Sequence, residues 1–162
     1  MFFLKKGLIL LSLSLIFLVS SGIWAEPSFA SIRQQEEAPG QILYQSRQSI
    51  QDNHGQTWQV VLFKRVKDGR VDTVDLRLVA YPGQATFIHP GSLSLSAPNQ
   101  AILTAPDQFA TEAPAPNVGQ FDLKKILPQL PTDQKVQLGL PLKEQTTIEI
   151  PPAVLLEWQL MA

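Results

Sequence analysis

Cysteine is absent from the 162-residue chain. That excludes disulfide bridges, a thiol nucleophile and the lipidated cysteine of a bacterial lipoprotein. Histidine occurs only as His54 and His89. A zinc site takes three or four ligands and would need both of them plus carboxylates. No HExxH pair and no other pair of ligands at helical spacing occurs, so neither a structural metal nor another cofactor is expected. The nine glycines are scattered singly, and none builds a phosphate-cradling loop. A GxSxG elbow is also missing. Charge of one sign is lacking too: 13 lysines and arginines face 14 aspartates and glutamates, for a net charge of −1. Nucleic acid or an acidic membrane surface is offered no overall basic surplus, and no nucleic-acid partner is expected.

What is present begins with a leader. Lys5 and Lys6 precede an apolar run from Leu8 to Val19, followed by small and polar residues. The order is that of a secretory signal, with cleavage after Ala30 (Ser28-Phe29-Ala30) or after Ala25. The rival is an uncleaved anchor, for which the run is short against the roughly 20 residues of a membrane span. Membrane contact is expected only through this segment, if it stays. Residues 31–40, SIRQQEEAPG, read as a flexible arm. Hydrophobic residues make up 44% of the chain, ordinary for a folded domain, and residues 41–162 are expected to form a single one.

Residues 42–81 carry the clearest pattern. Trp58, Val60 and Leu62 alternate against Gln59, and Val74, Leu76, Leu78 and Ala80 against Thr73, Asp75 and Arg77. A period of two with one apolar face describes half-buried strands. Val61 and Phe63 break the rule, which marks their strand as central and covered on both sides. Asn53-His54-Gly55 as a three-residue loop pairs Ile50 with Trp58. A three-residue loop at Lys67-Asp68-Gly69 pairs Leu62 with Val74, Val60 with Leu76 and Lys64 with Asp72, keeping apolar residues together. Asp72 and Asp75, three apart on a strand, face opposite sides and cannot act as a carboxylate pair.

Short strands are expected at Ala85–Ile88, Ser92–Ser96 and Ala101–Thr104. Further strands run from Val136 to Leu142 and from Thr146 to Ile150, closed by Lys143-Glu144-Gln145. Asp122 caps a short helix, 123–127, and Pro151-Pro152 opens a C-terminal helix, 152–161, whose Val154, Leu155 and Trp158 cover the sheet over Val61 and Phe63. Residues 105–119, rich in Ala and Pro, form a long extended crossing loop. The fold class is mainly β, a β-sandwich or a partly open antiparallel barrel.

The strings Trp58-Gln59-Val60-Val61-Leu62-Phe63-Lys64, Ala115 through Leu123 (APNVGQFDL), and Pro151-Pro152-Ala153-Val154 with Glu157-Trp158-Gln159 resemble a family of exported cyanobacterial proteins, the domain of unknown function 3122. The resemblance covers roughly residues 40–160. It implies a cyanobacterial source, hence the periplasm or the thylakoid lumen, and carries over no catalytic residue.

Together these features describe an exported, non-enzymatic β domain that binds a protein partner, such as a membrane-associated protein complex. The 105–119 loop is the candidate binding segment, with Phe109, Pro114, Pro116, Asn117 and Phe121 as its contact residues. Two alternatives stay open: a small-ligand or lipid carrier with an apolar pocket inside the β structure, and a hydrolase using His54 or His89.

Overall fold

The computed structural model describes residues 32–161; the leader lies outside them. Along the described residues run β1 (Arg33–Ala38), β2 (Gln41–Gln51), β3 (Thr57–Lys67), β4 (Arg70–Val79), β5 (Leu93–Ser96), β6 (Leu103–Ala105), β7 (Val118–Asp122), a 3-10 helix (Leu127–Gln129), β8 (Val136–Gly139), β9 (Thr147–Ile150) and α1 (Pro152–Met161). The strands form two antiparallel sheets, in the orders β1-β2-β3-β4-β7 and β6-β5-β8-β9. The chain is mainly β, as expected, and the sheets do not close into a barrel.

Turn residues set the meander. Asp52 to Gln56 closes around Asn53-His54-Gly55, with Gly55 at φ +78° and Ile50 opposite Trp58, as the pattern predicts. The next turn differs from expectation. Lys67 pairs with Arg70, so the loop has two residues, Asp68 at φ +49° and Gly69 at φ +74°. Both positive angles suit the tight hairpin turn that follows the strands' twist. Alone, that turn would set Leu62 against Asp75. A bulge restores the phase: Arg65 pairs with Thr73 but Val66 with Val71, leaving Asp72 unpaired in the ladder. Leu62 therefore meets Leu76, Val60 meets Leu78 and Lys64 meets Val74, rather than Val74, Leu76 and Asp72.

The expected flexible arm is instead β1, turned onto β2 at Pro39-Gly40. Its pattern is polar and almost wholly exposed, so main-chain pairing holds it, with the Glu37–Arg65 ion pair at 3.1 Å, and no apolar face announces it. Such a charged edge also discourages stray strand pairing.

The inner faces of both sheets share one core, with Trp58, Leu62, Leu76, Leu78, Phe121, Leu95 and Ile148 among its buried members. α1 adds Val154, Leu155, Trp158 and Met161 to that same core. It thus lies on the Trp58 side of the sheet and not over Val61 and Phe63. Gln48, the cross-strand neighbour of Val60, donates to Glu157 of α1 at 3.3 Å. The helix begins where Pro151 accepts from the Val154 and Leu155 amides.

Several local expectations shift for want of a backbone partner. Ala85–Ile88 contributes a single bridge, Phe87 to Leu142, rather than a strand. Residues 101–104 give way to Leu103–Ala105. The β8–β9 ladder stops at Gly139 and Thr147, and the loop runs wide because Pro141 has no amide hydrogen to give it. Asp122 does cap the next turn, accepting from Lys124 N at 2.8 Å, but the expected helix at 123–127 is one turn leading into the 3-10 helix through Pro128.

Candidate functional site

Residues 106–117 cross from one sheet to the other. β6 ends at Ala105 in the second sheet, and Asp107 then bridges to Phe121 of β7 in the first. Gln108 N donates to Gln120 O and Asp122 N to Pro106 O, at 2.8 and 3.0 Å. At the far end the Asn117 side chain donates to Ala80 O at 2.6 Å, Ala80 N donates back to Asn117 O, and Phe87 N donates to Pro116 O. The strap is thus pinned at both ends, with the middle looping out. Pro114 and Pro116 are exposed, Phe109 and Asn117 half-buried. Phe121 is fully buried in the core, so of the five proposed contact residues it alone cannot face a partner as folded.

Asp107 is the first pin. Its Oδ2 accepts from His89 Nδ1 at 2.7 Å and from Gly91 N at 3.2 Å, and its Oδ1 accepts from Phe109 N at 2.8 Å. Burial raises the Asp107 carboxyl, but the bonds from His89, Phe109 and Gly91 outweigh it and hold the group below its ordinary value. His89 is thus half-buried and held against the Asp107 carboxylate. Its ring lies 6.2 Å from Phe87, and its Nε2 is buried without a hydrogen-bond partner among the described residues. A hydrolase would need that nitrogen to meet a serine hydroxyl.

Behind the strap lies the outer face of the five-stranded sheet. Arg77 sits there between two rings, 5.2 Å from the centre of Phe63 and 5.7 Å from that of Phe109. Gln120 Oε1 accepts from its Nε and Nη2 at 2.8 and 2.6 Å. Asp75, next to it, is 6% exposed. Desolvation pushes its carboxyl up, and Asp122 pushes the same way against Arg65 and Arg77. One end of this face holds a hollow of about 300 Å³ lined by Thr57, Gln59, Val79, Ala80, Tyr81, Pro82 and Asn117. Tyr81 is 68% exposed at its rim.

His54 occupies a different place. Its Nε2 lies 3.2 Å from Gln145 O, at the edge of a cleft of about 250 Å³ lined also by Trp58, Thr86, Lys143 and Glu144. Trp58 itself is fully buried and donates its indole N–H to Asp52 at 2.9 Å. It acts as a core residue, as expected. The space between the sheets, where a carrier would hold its ligand, is filled by Trp58, Phe121, Trp158 and their leucine neighbours.

Sequence reasoning missed Asp107, Arg77, Gln120 and Tyr81. Asp107 had a local signal, since an aspartate that accepts the amide two residues on makes an Asx turn. Arg77 and Gln120 had none, because their meeting depends on β4 pairing with β7 across 43 residues of sequence.

No curated protein and no solved structure matches the chain. A family model does, over residues 30–161, under the description protein of unknown function, DUF3122. With the whole of the described chain inside that match, the protein belongs to the DUF3122 family.

Proposed function

We propose that this chain is an exported, non-enzymatic accessory domain that binds a protein partner through the strap and the sheet face behind it. The observation that carries the reading is the state of the strap: its proline-bearing middle is exposed at Pro114 and Pro116, while Asp107 and Asn117 fix its ends. A segment whose two ends are already fixed loses less conformational entropy on binding than a free loop does. The hollow beside Asn117, with Tyr81 at its rim, offers a neighbouring cavity for a partner's side chain. Export is supported by the Lys5-Lys6 pair, the apolar run and the small-residue site in the leader. The resemblance to exported cyanobacterial proteins favours the periplasm or the thylakoid lumen, and a membrane-associated complex as the partner.

The test is an affinity purification of the full chain, tagged at its C-terminus, from its native host. It is compared with a variant whose residues 109–116 are a Gly/Ser linker of equal length. The expected result is a partner protein recovered with the natural chain and lost with the linker. Equal recovery with both, or a monomer with no partner in either, overturns the proposal.

A further inference from the structure

We infer that the outer face of the five-stranded sheet docks an acidic segment of the partner protein; this rests on the protein-binding reading above. The strand registers carry it. Arg47 and Arg77 flank Val61 on one row, Arg33 follows Gln45 and Phe63 on the next, Arg65 pairs with Leu43 and Thr73, and Lys67 with Gln41 and Arg70. Directly opposed residues of a sheet point to the same side. Six of the chain's 13 basic side chains therefore share this face. The strand positions of the same face carry three acids, Glu37, Asp75 and Asp122. The chain as a whole has a net charge of −1, so the face is basic against an acidic remainder.

Outside the ion pair of Arg65 Nε with Glu37 Oε2 at 3.1 Å, the arrangement also keeps that charge available. Arg77 is held by the neutral oxygen of Gln120, which orients the guanidinium without cancelling it. Asp75 lies buried between Arg65 and Arg77, with Arg65 Nη1 at 3.9 Å. Arg47, Lys67 and Arg70 are exposed. Among them lie Leu43, Val61, Phe63 and Phe109, and arginine mixed with aromatic and aliphatic residues is the composition of protein interfaces. The acids within the patch choose the partner class. Glu37 and Asp122 interrupt the cations and repel a continuous row of phosphates, whereas a peptide can space its carboxylates between them. The 300 Å³ hollow at one end of the face has room for an apolar side chain of the same segment.

The experiment measures fluorescence anisotropy of a labelled peptide rich in glutamate and leucine, titrated with the full chain. Two double variants change net charge equally: Arg47→Glu with Arg70→Glu on the face, and Lys125→Glu with Lys143→Glu away from it. All four positions are exposed, and melting curves check that each variant is folded. The face variant is expected to bind about tenfold more weakly or worse, and the distant one within about twofold of the natural chain. Added salt is expected to weaken the natural binding. Absence of binding, equal loss in both variants or loss in neither overturns the inference. So does tighter binding to a DNA duplex or to phosphatidylglycerol vesicles than to the peptide. Should the face variant fail to discriminate while the Gly/Ser strap still loses its partner, protein binding stands and only the acidic class of the partner falls.

Discussion

His89 Nδ1 and Asp107 Oδ2 lie 2.7 Å apart, and this contact fastens the loop after β4 to the start of the strap. Asp107 is 4% exposed as a side chain, and its three accepted bonds hold its pKa down. A carboxyl lowered on folding contributes stability above its unfolded value and loses it as pH falls through the folded one.

Asp107→Asn is therefore expected to cost about 1–3 kcal/mol at pH 7, the range for disturbing a buried charged hydrogen bond. The deficit should begin to shrink below about pH 4 and go on shrinking as pH falls through the lowered folded value, where the natural carboxylate takes up its proton. Urea unfolding at both pH values checks this, and limited proteolysis should cut the strap of the variant first. A deficit independent of pH contradicts the role given to the charge.

Asp75 behaves in the opposite sense, because burial raises its carboxyl. Its charged form is a burden to the fold, and that burden grows as pH rises through the folded value. Asp75→Asn is expected to melt at or above the natural chain at pH 7. The two should converge below about pH 4, where both side chains are neutral. A variant less stable at pH 7 than at pH 4, relative to the natural chain, contradicts the assignment.

Deleting Asp72 removes the bulge residue and leaves a regular ladder with Leu62 still opposite Leu76. The expected cost is at most about 1–2 kcal/mol. Deleting Lys64, in contrast, reverses the facing of the strand on one side of the gap, at a cost comparable with the whole stability of a domain, about 5–15 kcal/mol. Unfolding curves and a Leu62–Leu76 cross-strand nuclear Overhauser effect distinguish the two.

Gly119 sits under an aromatic ring: a Cβ built there would lie 2.6 Å from the nearest carbon of Phe87. Phe87 in turn meets Trp58 edge-on at 5.9 Å. Gly119→Ala should cost about 1–3 kcal/mol through overpacking, read by thermal melting. A neutral effect would show that the Phe87 ring has room to move.

Much of this architecture could be read from residue order, and the exceptions have physical reasons. The apolar alternation of β3 and β4, the Asn53-His54-Gly55 loop and the C-terminal helix opened by Pro152 are local signals, and they hold. The Asp68-Gly69 hairpin misled because two compensating features, a shorter turn and a bulge at Asp72, preserve the same apolar phase as a longer turn. β1 was invisible because its stability comes from main-chain bonds to β2 and from an ion pair of Glu37 with Arg65 two strands away, and it has no apolar face. In the candidate site, composition pointed to the strap and to Phe109, Pro114, Pro116 and Asn117. It could not show that Phe121 turns into the core, nor that Arg77, Phe63 and Gln120 converge, since three strands must pair before they meet.

Whether the strap and the outer sheet face share one partner is best tested by photo-crosslinking in the native host, with a benzophenone amino acid placed at Pro114, at Arg47 or at Gln137. The first two are exposed on the strap and the outer sheet face; Gln137 is exposed on β8 of the other sheet. Adducts to the same partner protein are expected from positions 114 and 47 and none from 137. Silence at 114 and 47, or an equal adduct from all three, would contradict that expectation.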